Sequence, residues 1–227
     1  MTTSPPDWSF SGDTGPDAWA TIRPEYARCA SGRLQSPVDL GDAVEGGRGD
    51  LSLSYHLNRL TFVDLHWTLQ VLADPGGHMS YGGRLHEFAE MHFHAPAEHS
   101  IDGIAADLEA HFVHQADGEQ LAVVAVLFDV APGTHDIDDL VAGVPAEPGG
   151  EERVAASRDI QRLIPLRSRR YRYTGSRTTP PCSENVSWIV MEDRGTVGAD
   201  ALAAFTRRYE PNARPTQPLN GRTITLG

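Results

Sequence analysis

Glu90-Met91-His92-Phe93-His94 sets two histidines two residues apart. On a β-strand, residues i and i+2 point to the same face. The spacing predicts a strand on which Phe88, Glu90, His92 and His94 share one face and Ala89, Met91 and Phe93 the other. That second face is wholly apolar, as a core-packed face should be. A chain built this way needs a sheet with a polar pocket on one side and a core on the other. A single strand histidine is ordinarily a hydrogen-bonded polar residue, whereas a same-face pair is a candidate metal site that a third ligand would decide.

Asp107-Leu108-Glu109-Ala110-His111-Phe112-Val113-His114 offers that ligand, and strand-forming residues follow from Leu121 to Phe128. Two paired strands can bring His111 opposite His92 and His94. Three imidazoles leave one corner of a tetrahedron open, which marks a catalytic zinc site rather than a structural one. The all-nitrogen donor set also favours zinc. His111 shares its face with Glu109, whose carboxylate can take the hydrogen bond of the ring nitrogen turned away from the metal. Glu90 stands in the same relation to His92. His114 faces the other way without such a partner and reads as structural.

On these residues the chain resembles an α-class carbonic anhydrase of the bacterial type. The resemblance rests on His92-x-His94 with Pro96 and Glu98-His99, and on Glu109-x-His111-x-Val113-His114. It extends to Gly175-Ser176-Arg177-Thr178-Thr179-Pro180-Pro181-Cys182 and to Gln35-Ser36-Pro37-Val38-Asp39-Leu40, and runs from Trp8 to Arg222. It implies one domain over residues 1–227, mainly β with short helices, around a large central twisted sheet. That sheet should be mostly antiparallel, with zinc at the floor of an active-site cone.

The activity implied is reversible hydration of carbon dioxide to bicarbonate and a proton by zinc-bound hydroxide, with His92, His94 and His111 as ligands. Thr178 and Glu98 are implied as the catalytic pair that orients the hydroxide. Val113, Val123, Arg177, Thr179 and Trp188 are implied to line the substrate pocket; taken singly, Val113, Val123 and Trp188 read as core. Cys29 and Cys182 alone read as two buried thiols, which suits a reducing compartment; the resemblance implies that they pair. Residues 1–6 lack the basic start and apolar stretch of a signal peptide. The disulfide nonetheless argues for a periplasmic or secreted protein, with the cytoplasm as the alternative.

Three positions depart from the family pattern. Phe10 stands where the family has Tyr. Glu90 replaces Gln, which should make His92 more electron-rich and raise the pKa of the bound water. Arg177 replaces Leu, so an apolar wall becomes a cation; pointing inward, it would narrow the pocket, hold anions such as bicarbonate and slow turnover. The family often moves protons through a histidine partway up the cleft. Alignment back from Gln70 puts Trp67 at that position and His66 one residue off, and such a slip turns a strand side chain to the other face. His66 is the candidate shuttle, with buffer as its alternative. A catalytically weak, carbonic-anhydrase-like zinc-binding domain is the alternative function.

The 227 residues, 40% hydrophobic, suffice for one sizeable core. A net charge of −12 argues against nucleic acid and anionic membranes, and all 19 basic residues are Arg. The expected partners are carbon dioxide and bicarbonate, for a monomer or homodimer. Residues 1–34 read as an irregular segment covering the core. Leu51–Leu72 reads as strands, Thr134–Gly150 as a surface excursion, Glu151–Ile164 as a short helix, and Asn185–Val190 as a strand. Ala199–Arg208 is the best helix, from its propensity and from Leu202 and Phe205 at i, i+3.

Overall fold

The computed structural model describes residues 2–118 and 120–227. The first strands are β1 (Val44–Glu45), β2 (Leu51–Ser54), β3 (Asn58–Asp64), β4 (Leu69–Ala73), β5 (His78–Tyr81) and β6 (Arg84–His94). Then come β7 (Ser100–Ile101), β8 (Ile104–Ala105), β9 (Leu108–Gln115), β10 (Leu121–Ala131) and β11 (Glu151–Arg158). The last are β12 (Arg170–Ser176), β13 (Glu184–Met191), β14 (Gly195–Gly198) and β15 (Thr225–Leu226). Thirteen of them form one sheet with the spine β1-β15-β12-β13-β10-β9-β6-β4-β3-β11. Pairing is antiparallel except for β1 with β15 and β10 with β13 and β14. The expected mostly antiparallel sheet with few helices is what the chain forms.

Period-2 alternation divides this sheet into two faces. Phe112 of β9, Val124 of β10 and Ile189 of β13 join Met91 and Phe93 in the larger core. Val113, Val123 and Trp188, one residue out of phase, face a second cluster on the opposite side. The expected helix at Ala199–Arg208 is α4, after α1 (Trp19–Ile22), α2 (Arg28–Ser31) and α3 (Asp138–Val141). It lays buried Phe205 against Phe93, with ring centroids 6.1 Å apart. Full burial of a side chain of this kind stabilises by about 1.5–3 kcal/mol. The back of β6 is thereby fixed while its front carries the histidines.

Four sequence expectations give way to tertiary structure. Phe88 is not on the histidine face. The β6–β9 register shifts between Phe88 and Glu90, so one extra residue, Ala89, breaks strict alternation. Phe88 instead packs on Tyr55 and His114 on the core side. Glu151–Arg158 is a strand rather than a helix, because pairing with β3 overrides local propensity, and only Ile160–Leu163 turns into a 3-10 helix. The excursion at 134–150 contains α3, whose Leu140 and Val141 are buried in the core. Residues 1–34 carry two short α-helices and two 3-10 turns rather than being irregular throughout. Their Trp8 and Phe10 rings meet Trp67 at the cleft at a tilt, with Trp19 edge-on behind them.

Candidate active site

β6 and β9 run antiparallel in register, with His92 opposite His111 and His94 opposite Glu109. The three histidine rings lie with centroids 4.6 to 5.1 Å apart. Hydrogen-bond partners fix each tautomer. His92 Nδ1 donates to both oxygens of Glu90 at 3.0 Å. His94 Nδ1 donates to the carbonyl of Asn212 at 2.7 Å. His111 Nε2 donates to Glu109 Oε1 at 2.7 Å. A carbonyl or carboxylate only accepts, so each proton is committed outward. The nitrogens left bare are His92 Nε2, His94 Nε2 and His111 Nδ1.

These bare nitrogens converge, all within 4.8 Å of one another. His92 Nε2 and His111 Nδ1 stand 3.3 Å apart with no proton left to share. His94 Nε2 is buried with no hydrogen-bond partner. Lone pairs facing one another in a buried site are unfavourable unless a cation lies between them. Two nitrogens each 2.0–2.1 Å from a tetrahedral zinc would lie about 3.3–3.4 Å apart, so the donor set fits that ion. Burial, with repulsion from the neighbouring rings, holds His94 well below its ordinary pKa. Burial brings His111 down to about 4. Both rings are neutral, as metal ligands must be.

A profile of the eukaryotic-type carbonic anhydrase family matches residues 14–227. The chain belongs to that family. The carbonic anhydrase of Nostoc sp. is 33% identical over 224 residues, spanning 96% of this chain and 85% of that protein. The carbonic anhydrase of Pectobacterium carotovorum is 32% identical over 218 residues, spanning 96% and 89%. In three dimensions the chain is similar to the α-carbonic anhydrase of Thermovibrio ammonificans, solved in complex with the inhibitor sulfanilamide. The TM-score is 0.92 at 34% identity, over 98% of this chain and 100% of that one. Carbonic anhydrase activity, the interconversion of carbon dioxide and bicarbonate, comes with this membership.

Within this carbonic anhydrase fold the remaining site residues come from three further segments. Thr178 and Thr179 follow β12, where Gly175 allows a close approach: a Cβ there would meet Ser36 Oγ at 2.1 Å. The loop is closed by Arg177 N–H to Ser183 O at 2.9 Å and by the Cys29–Cys182 disulfide. The pairing implied by the resemblance is therefore present. Glu98 is buried beside Thr178, and its Oε1 accepts the Arg214 backbone N–H at 2.9 Å. Its Oε2 has no closed hydrogen bond and lies 3.4 Å from His94 Nε2. Burial, then the charge of Glu109, pushes the Glu98 carboxyl well above its usual pKa, while Arg214 N–H and the Thr178 hydroxyl pull it down. A cation on the three nitrogens would also favour the carboxylate.

His92, His111, Thr178 and Thr179 border a cavity of about 110 Å³ whose apolar wall includes Val113, Val123, Leu121, Val186 and Trp188. Room for a few water-sized molecules suits a very small substrate. Arg177 borders it as well. His66 does not. It sits in the turn between β3 and β4 at φ 69°, outside strand alternation, and its Nε2 donates to Thr3 O at 2.9 Å. Trp67 borders the cavity in its place.

Several contributors carry no local sequence signal. Asn212 takes the His94 proton on its carbonyl, accepts Ala95 N–H on Oδ1, and donates to Trp67 O and Phe93 O. Arg214 is buried and ties Gln35, Ser36 and Cys29 to the Glu98 strut. His99 donates to Glu109 Oε1 at 2.6 Å and meets Tyr173 Oη at 2.6 Å, and Tyr173 reaches Ser36. Of these, Asn212, Arg214 and Tyr173 stood outside every motif that the sequence singled out.

Proposed function

We propose that the chain catalyses the zinc-dependent, reversible hydration of carbon dioxide, with zinc held by His92 Nε2, His94 Nε2 and His111 Nδ1. The observation that carries this reading is the convergence of three bare ring nitrogens, two of them 3.3 Å apart. Zinc bound there supplies a hydroxide nucleophile at neutral pH by lowering the pKa of its water to about 7.

The chain's own residues do the rest. Glu90, Asn212 and Glu109 hold the three rings in the ligating tautomer. Glu98 in its ionised form accepts from the Thr178 hydroxyl, which fixes that hydroxyl as an acceptor toward the cavity. Thr178 thus holds the nucleophile's proton on Oγ1 and aims a lone pair at the substrate. Val113, Val123 and Trp188 give carbon dioxide an apolar seat and keep competing water out. Glu90, anionic against His92, and Arg177, at the cavity's edge, both slow turnover. With Trp67 at the cavity wall and, among the described residues, no histidine but the ligands bordering it, the product proton passes to buffer. The disulfide suits an oxidising compartment, and we read the protein as periplasmic or secreted.

Stopped-flow hydration, reported per bound zinc and repeated after chelation, tests the function. Activity that tracks zinc supports it; full activity in zinc-free protein refutes it.

A further inference from the structure

Above the inner cavity lies a wider basin of about 720 Å³. The two spaces meet at Gln70, Glu90, Val113, Leu121, Arg177 and Val186. Arg177 is the one arginine that borders either space among the described residues. It is exposed, and among the described residues its side chain has no hydrogen bond or ion pair.

Among the described residues, the basin's two carboxylates are committed elsewhere. Glu90 holds His92, and Glu184 accepts from Leu34 N–H at 2.6 Å and Gln35 Nε2 at 3.2 Å and lies 3.6 Å from Arg28. Among the described residues, a permanent positive charge thus stands at the neck without an ion pair, in a chain of net charge −12. Gln70, Gln115, Ser183 and Asn185 add uncharged hydrogen-bonding groups to the lining of the same basin.

We propose that Arg177 makes the neck a binding position for a planar monoanion, either bicarbonate or a small organic carboxylate. A planar guanidinium fork matches the two oxygens of such a group in a way that an ammonium does not. One cation balances a single negative charge, and the carboxylates of Glu90 and Glu184 on the same basin oppose a second, which selects against sulfate and phosphate. The placement above the reacting centre rests on reading the inner cavity as the hydration site; the binding itself does not require that reading.

Calorimetric titration of benzoate against its neutral isostere benzamide tests the site, on wild type, Arg177→Leu and Arg177→Lys. Each is measured as the zinc-loaded protein and again after chelation. Wild type should favour benzoate by about tenfold, the size of one charge-assisted pair. Arg177→Leu should erase that preference, Arg177→Lys should keep part of it, and chelation should leave it in place. Bicarbonate that displaces benzoate assigns the site to the reaction's own anion; bicarbonate that does not assigns it to organic carboxylates. A preference unchanged in Arg177→Leu, one lost with the metal, or sulfate competing as well as benzoate would overturn the proposal. Zinc-loaded protein that binds benzoate through Arg177 yet hydrates no carbon dioxide would instead sink the hydration reading alone.

Discussion

Replacing Glu109 by Gln changes one charge and almost no volume, yet the site should not tolerate it. The Glu109 carboxylate takes four donors. Oε2 accepts the backbone N–H groups of Glu98 and His99 at 2.8 Å each; Oε1 accepts His99 Nδ1 at 2.6 Å and His111 Nε2 at 2.7 Å. The amide of Gln must place an NH₂ against one of these pairs. Against the backbone pair it meets two fixed donors. Against the histidine pair it forces His111 to accept at Nε2, which moves the proton to Nδ1. That proton then lies between His111 and His92, on the nitrogen that should bind zinc.

Either orientation loses two charge-assisted bonds, worth about 1.5–3 kcal/mol each, so Glu109→Gln should cost about 3–6 kcal/mol of stability. Zinc affinity should fall about 10–100-fold, as for other carboxylates behind a ligand histidine. Urea unfolding and competition with a chromophoric chelator read the two effects separately. The sign of the pH dependence follows from the depressed pKa. Burial alone would raise it, but His99 and His111 hold the Glu109 carboxyl well below 4.5. Its contribution is complete above 4.5 and fades as pH falls through the folded value, so the gap between wild type and variant should close in acid. A loss under about 1 kcal/mol together with zinc affinity within twofold would refute this reasoning, because no surviving orientation of the amide keeps all four donors paired.

Three other outcomes are expected. Arg177→Leu should raise the hydration rate in stopped-flow assays, by restoring an apolar wall; an unchanged or lower rate would exclude a slowing role. Joint replacement of Cys29 and Cys182 by Ser opens a crosslink spanning 153 residues and should cost about 5 kcal/mol in the chain-entropy picture, measured by urea unfolding; a loss below about 1 kcal/mol would show the loop held by Gln35 and Glu184 instead. His114, packed on Tyr55 and near His86, is lowered by burial to about 3. The fold therefore holds it neutral and loses that stability as pH falls from 6.5 toward 3. Between pH 6.5 and 5 wild type should lose about 2 kcal/mol more than His114→Gln; equal losses would contradict this.

The strands that carry the three histidines were legible because their signal is local and doubled. His92-x-His94 and Glu109-x-His111 each set same-face residues two apart, and both lie in strands bounded by strand formers. α4 was legible for the same reason, through propensity and the Leu202–Phe205 spacing. The failures share a cause. The bulge at Ala89 depends on pairing with β9, and the strand at Glu151–Arg158 depends on pairing with β3. Neither leaves a mark in the local pattern. Asn212 and Arg214 reach the site from the segment after α4, across more than 110 residues of sequence to His94 and Glu98. The cysteines on their own left pairing open; only the resemblance joined Cys29 to Cys182. Trp67 stands at the cavity as the alignment back from Gln70 puts it, but His66 is turned away by a left-handed turn residue rather than by strand alternation.

X-ray absorption at the zinc edge, on the purified full chain, reads the central claim with the least interpretation. One zinc per chain, surrounded by three imidazole nitrogens at about 2.0–2.1 Å and one lighter oxygen, is the result expected. A chain that takes up no zinc, or a shell that loses none of its nitrogen when His94 is replaced by Ala, would contradict it.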